Sequence, residues 1–327
     1  MLKSLFRSPA AREQVAIADP IIDRLVERTE KRLAQVKDYR KALREPVLAA
    51  RERVAALIAG IPGPIEVGPA AWSADERVRP LFAHAADAAK AFSENEGVRA
   101  FFQANPGDDC LGMLALLQTE RRVLATVPQG DLQVEVARAT VSFSEPQVIA
   151  PAKDEIAVRE ELVIRALENL ALRAMERVGT MRSERRELEK ERTLLQAEVR
   201  VARRRGAGFG EIGGGEEPRT GLAALEADLA RAQGALDKAS TQNLLPVLLE
   251  ELLGAFARPE EHLAIEPCTV TLDAMNFVVP PSPQAVTPRA ATLRLGPRGP
   301  FAVLIARFPR AELREREDRM AEAAKYL

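Results

Sequence analysis

Several groups of residues in this 327-residue chain have types and spacings that invite a chemical reading. The glycine-rich run "GAGFGEIGGG" at 206–215 suggests a phosphate-binding loop. It lacks the Gly-Lys-Ser/Thr ending of a Walker loop, no Gly-Lys occurs anywhere in the chain, and no strand precedes it. It reads instead as the flexible tip between two helices. His84 and His262 are the only histidines, and neither has a second ligand at metal spacing. Asp108, Asp109 and Cys110 place carboxylates beside a thiol. Neighbouring carboxylates raise a thiol pKa, the wrong direction for a nucleophile, so the two aspartates read as residues opening a helix. No nucleophile elbow occurs. The residues imply no catalytic set, no metal and no cofactor.

One cluster does suggest an interaction. Arg200, Arg203, Arg204 and Arg205 crowd one side of the glycine-rich run, with Phe209 inside it and Arg219 beyond it. A cationic end of this kind attracts phosphates or an acidic protein surface. The simpler reading is a solvated helix end, since cations suit a helix C-terminus. Phe209 is the one aromatic interleaved with these arginines, too few for single-strand stacking.

The elements that must position the cluster are legible from periodicity. Residues 152–205 run without proline and with one internal glycine, enough for roughly 75 Å of helix. Val163, Leu167, Leu170 and Ala174 form one seam, and Met181, Leu188, Leu195 and Ala202 recur every seven residues. That is the period of a left-handed coiled coil. Arg192 falls on the face read as solvated. Beyond the glycines, Leu222, Leu225, Leu229, Ala232, Leu236 and Ala239 step by three and four. Matching periods around one break imply an antiparallel hairpin over 152–257 with its tip at 206–218. In that register residue 204 faces about residue 220, and Met181 lies near Asn243. Leu188 and Leu195 should be buried between the helices. Leu244 to Phe256 is a broader apolar face that should dock on the rest of the protein.

The N-terminal part reads as a helical domain over 1–120. Asp19 and Pro20 suit the start of a helix reaching residue 58, with a kink or junction at Pro46. Ser73 with Glu76, Pro80, and Ser93 with Glu96 suit the starts of short helices, with Trp72 at the edge of their core. The run Leu111 to Leu117 reads as part of that helical core. From Arg121 the period falls to two, giving the first part of a β platform over 121–151. Gln129-Gly130-Asp131 forms its turn and a bulge is expected near Arg138. Residues 258–308 supply the second part. It consists of a strand run "CTVTLDAMNFVV" and a hairpin turning at Gly296 to Gly299. The segments "TVSFSEPQVIAP" (140–151) and "TVTLDAMNFVVP" (269–280) echo each other, and would be antiparallel neighbours with the helical hairpin inserted between them. A C-terminal amphipathic helix is expected over 309–327.

Composition frames these expectations. Charged residues make up 29% of the chain and aromatics 4%, which favours long helices over an all-β fold. Net charge is −1, so the whole chain has no nucleic-acid signature. The charge is uneven. Residues 1–60 hold 13 Lys/Arg against 8 Asp/Glu, net +5, and residues 182–205 hold 9 against 5, net +4. Two distant cysteines suit a reducing compartment, and no signal peptide or apolar span is visible, so a cytoplasmic protein is expected. "MLKSLFR" is too short to hold a membrane surface alone.

The fold expected is therefore α+β and mainly helical: an N-terminal helical domain, a small antiparallel β platform, and a coiled-coil hairpin inserted between its strands. The function expected is a non-enzymatic interaction or structural protein with a protein partner, self-association included. The alternative is a nucleic-acid accessory protein using the basic N-terminal helix and the basic tip. Third is an enzyme with a pocket between the helices and the β platform.

Overall fold

The computed structural model describes residues 9–129, 132–209, 217–240, 244–296 and 298–315. The fold is α+β and mostly helical, with a six-stranded sheet and one long helix between its third and fourth strands. The chain divides into two compact units that cut across the sequence-order segments. One comprises residues 1–47 and 168–257, the other 48–167 and 258–327.

The sheet unit is built around a central strand. After helix α1 (Pro9–Arg28) and helix α2 (Tyr39–Ala59) come the short strand β1 (Ile65–Glu66) and helices α3 (Pro69–Ala74), α4 (Ala85–Glu94) and α5 (Glu96–Ala104). Strands β2 (Asp109–Gln129) and β3 (Leu132–Ala152) then form a hairpin of two 21-residue strands. Later come β4 (Leu263–Pro267), β5 (Ala291–Leu295) and β6 (Arg298–Pro309). The strand order is β3-β2-β6-β5-β4, all antiparallel, with β1 added parallel to β6.

Leu111 to Leu117 is thus not helix but lies in the first part of β2, flanked by β3 and β6. All residues from Cys110 to Leu116 are buried. A strand covered on both faces loses its alternation and reads as a continuous apolar run, which a buried helix also gives. Gly112 marks the strand: a Cβ there would stand 2.9 Å from Val148 Cγ1 and 3.3 Å from the Ile149 carbonyl. One face of the sheet packs against α4 and α5, with Phe92 stacked on Phe308 at 4.5 Å and Trp72 at the edge, its Nε1 donating to the Phe82 carbonyl. On the other face Met113, Ala115, Val303 and Ile305 are buried, and the turn after α2 lies against Ile305. Gly63 has φ 142, and a Cβ there would meet the Ile305 carbonyl oxygen and Cβ.

Long-range arginines close the helix ends. Arg310 donates to the Phe102, Asn105 and Gly107 carbonyls, and Arg159 donates to those of Ile58 and Ile61. Each reaches a carbonyl in the last turn of a helix and others in the segment just after it.

Several local expectations change. Helix α1 runs through Pro20, and Asp19 is held by Arg44 at 2.7 Å instead of capping. Helix α2 likewise runs through Pro46. The break comes at 29–38, where Asp38 adopts φ 59, a conformation Asp tolerates. Ser73 lies inside α3, and the cap of α5 is Asn95, whose Oδ1 accepts from the Val98 N–H. Asp109 opens a strand rather than a helix. The bulges fall at 149–152 and 144–147, where Ala150 and Glu145 have positive φ, and pairing at Arg138 is regular.

The hairpin strands pair Gln129 with Leu132, which places the turn at residues 130–131, outside the described residues. Likewise β5 and β6 pair Leu295 with Arg298, so the turn expected over Gly296 to Gly299 is confined to Gly296 and residue 297, the latter outside the described residues. The two echoed segments are antiparallel neighbours, but only around Thr140 and Phe277: the Val141 N–H donates to Asn276 O, and the Val278 N–H to Ala139 O. The rest of 269–280 is not a ladder, because Asp273 Oδ1 accepts from Met275 and Phe277 N–H and folds the segment into a turn. Pro309 ends β6 in a short 3-10 turn (Arg310–Glu312). The remainder of the expected C-terminal helix, from residue 316, lies outside the described residues.

Candidate interaction tip of the helical hairpin

The helical unit begins with its own core. Ile21, Ile22, Leu25 and Val26 of α1 and Leu43 and Val47 of α2 are buried. So are Leu170, Ala171, Ala174 and Val178 of helix α6 (Glu155–Phe209) and Leu248, Leu252, Ala255 and Phe256 of helix α8 (Leu244–Ala257). Ion pairs tie these elements together. Glu168, 7% exposed, accepts from Arg24 at 2.6 Å and lies 3.4 Å from Arg28. Arg40 pairs with Asp23 at 2.9 Å, and Arg177 with Glu251 at 3.3 Å. Arg32 donates to both carboxylate oxygens of Glu30, from Nε and from Nη2, each at 2.9 Å, and Arg182 approaches it at 3.5 Å. The Arg32 hydrogen bonds hold the Glu30 carboxyl down at about 2, from an ordinary 4.5.

Farther out, α6 is joined by helix α7 (Glu217–Ser240). Arg203 Nε and Nη2 both donate to Glu226 Oε1, at 3.1 and 2.8 Å. Together with Arg177–Glu251, this pair fixes an antiparallel arrangement. The register differs from expectation by about one turn: residue 203 meets 226 where 221 is expected, and 177 meets 251 where 247 is expected. The reason is the length of α6, which continues as helix through the first glycines to Phe209 and moves the turn outward.

The outer seam is thin. Leu188 and Leu195 are half-buried, not buried, and among the described outer residues only Val199, Ala232 and Leu236 are fully covered. The seam also contains residues that the seven-residue pattern alone left on the solvated side. Counting from Val178 in sevens gives Arg185, Arg192 and Val199, and both arginines are half-buried. Arg185 bonds Glu189 at 3.1 Å, while the buried Nε of Arg192 has no partner among the described residues. The buried valines at both ends of this series are the signal in the sequence that could have revealed it.

Of the six candidate tip residues, Arg200 and Arg204 are exposed on α6, and Arg203 is engaged by Glu226. Arg205 and Phe209 lie on the last turn of α6 and Arg219 on the first turn of α7, with side chains outside the described set. The cationic end is therefore partly neutralised by its own hairpin.

The alternative sites give less. Cys110 is buried and its thiol is pushed up to about 12 by that burial; burial raises Cys268 as well. Neither is a thiolate at neutral pH. His84 sits at the start of α4, its N–H donating to Asp87, and His262 ends a short 3-10 turn. No group of ligands suited to a metal occurs among the described residues. A groove of about 470 Å³ lies between α4 and β3, lined by Leu81, Phe82, Lys90, Leu116 and Phe143. Its Asp87 serves the α4 start and its Lys90 approaches Glu94 at 3.9 Å, so the lining presents no nucleophile with a base. No described helix is long and apolar enough to cross a membrane.

No protein-family model matches the chain, and neither the characterised proteins nor the solved structures contain a significant match.

Proposed function

We propose that this chain is a non-enzymatic interaction protein that presents a coiled-coil arm to a protein partner. The observation that carries this reading is α6, 55 continuous helical residues whose outer seam is only half-buried. A catalytic site needs converging groups in a concave, water-excluding place, and a two-helix arm offers reach and side-chain pattern instead. A protein partner is favoured over nucleic acid because the tip cations are interleaved with anions. Glu191 and Glu198 stand among the arginines on α6, and Glu226 engages Arg203. Two free, buried cysteines accord with a reducing, cytoplasmic setting.

The test is affinity capture from native cells with the full chain, beside a variant lacking residues 206–218 and an Arg200→Ala, Arg204→Ala variant. A partner retained by the full chain and lost with the tip is the expected result. An unchanged set of partners in both variants would overturn the arm as the contact element.

A further inference from the structure

Along α6 the cover changes at one point. Val178 is 2% exposed, and from 179 to 198 no residue of the helix is fully buried. At that boundary stand Gly179 and Thr180, both exposed. Glycine is the weakest helix former after proline. At Gly63 and Gly112 the fold leaves no room for a side chain, but a Cβ at Gly179 would meet nothing within 4 Å outside its own helix. Packing therefore does not call for this glycine.

Thr180 weakens the same turn. Its Oγ1 donates to the Arg177 carbonyl at 2.6 Å and lies 3.5 Å from that of Glu176. Those carbonyls are the acceptors for the helix N–H groups of residues 181 and 180. A hydroxyl that shares them bends a helix, and bends gather where glycine stands beside a hydroxyl residue. The second helix of the hairpin starts afresh nearby. Helix α8 begins at Leu244 with Pro246 in its first turn, where the missing N–H is tolerated. Pro246 is five residues before Glu251, so the Arg177–Glu251 pair sets it across from about residue 182.

Two other helix glycines, Gly234 and Gly254, also have open space around them. Each has covered residues on both sides, Ala232 and Leu236 for one, Leu252 and Ala255 for the other. Gly179 has Val178 behind it and no fully covered residue ahead until Val199. Arg182 reaches back to Glu30, between α1 and α2, at 3.5 Å, and so bridges the weak turn.

We propose that Gly179 and Thr180 form a joint about which the outer arm bends on its base, with the Arg182–Glu30 pair as the catch that holds it. The joint goes beyond the reading of the hairpin as a contact arm, since bending does not depend on what the tip takes. Residue 198 lies nineteen residues of helix beyond Gly179, so a bend of about 20° moves it by roughly 10 Å.

Double electron–electron resonance on the full chain tests the joint, with nitroxides on Lys41→Cys in α2 and Glu198→Cys in the outer arm, the native cysteines being buried. Lys41→Cys with Leu172→Cys, both in the base, supplies the reference width, and circular dichroism confirms that each variant keeps its helicity. The Lys41–Glu198 distances should spread over roughly 10 Å more than the reference. Gly179→Ala should narrow that spread, Arg182→Ala should widen it, and Gly234→Ala and Gly254→Ala should leave it as it is. A wild-type spread no wider than the reference would overturn the joint, as would a Gly234→Ala variant that narrows it as much as Gly179→Ala does. A width that Arg182→Ala does not change would overturn the catch.

Discussion

The base and the outer half of the hairpin are made of the same helix but held by different physics. At the base, Leu170, Ala171, Ala174 and Val178 are buried beside a carboxylate, Glu168, that is itself covered and paired with two arginines. In the outer half, Leu188 and Leu195 are half-exposed and two of the seam positions are arginines. The base behaves as a core, where burying apolar area dominates. The outer half has too little area for that, and the polar seam positions favour register over stability. A seven-residue repeat therefore says that two helices meet. It does not say how deeply they bury what lies between them.

Substitutions at the base should have the largest effect. Phe256→Ala at 1% exposure should cost about 3–5 kcal/mol, and Leu170→Ala about 2–5 kcal/mol, in denaturant unfolding. The same deletion at the thin seam, Leu195→Ala, should cost under ~2 kcal/mol. Equal costs at Leu170 and Leu195 would erase the distinction.

Next in size is Arg192. Its half-buried place in the seam makes Arg192→Asp about as harmful as Leu195→Asp, against the ranking that a solvated Arg192 implies. Arg192→Leu should stabilise by roughly 1 kcal/mol, because it removes a buried, unpartnered Nε and adds apolar area. A neutral or destabilising Arg192→Leu would return that residue to the solvent face.

These positions also show how far the sequence was readable. The heptads around the glycine-rich break, the β5–β6 turn and the two-residue gap between Gln129 and Leu132 are local patterns, and the fold follows them. Leu111 to Leu117 was illegible as a strand because both of its faces are covered, which removes the alternation that identifies strands. The bulges at Glu145 and Ala150 depend on how β3 passes β2, and no residue type announces them. The tip arginines were visible as a cluster. The loss of Arg203 to Glu226 depended on a register that two ion pairs set and periodicity left open by a turn.

A smaller effect should appear on acidification. Glu30 is depressed to about 2 in the folded state against 4.5 ordinarily, so its contribution is fully present above 4.5 and is lost as pH falls from there toward 2. Glu30→Gln should flatten the fall of helical-unit stability across that window and leave its shape at neutral pH unchanged. A wild-type curve as flat as the variant's would remove Arg32 and Arg182 as its partners.

The smallest expected signal is with nucleic acid. Anisotropy titration against duplex DNA at physiological salt should show nothing tighter than the micromolar non-specific range. Tight, salt-sensitive binding abolished by Arg203→Ala, Arg204→Ala and Arg205→Ala together would promote nucleic acid over protein as the partner of the tip.

Native-state hydrogen exchange, read on peptides from the two halves of the hairpin, tests the account most directly. Segments 168–178 and 248–256 should exchange only with global unfolding of the helical unit. Segments 188–204 and 222–236 should open at a markedly lower free energy while remaining helical, the behaviour of an arm whose stability comes from a thin seam. Equal protection in both halves would contradict a poorly buried outer arm and require a deeper partner for it within the monomer.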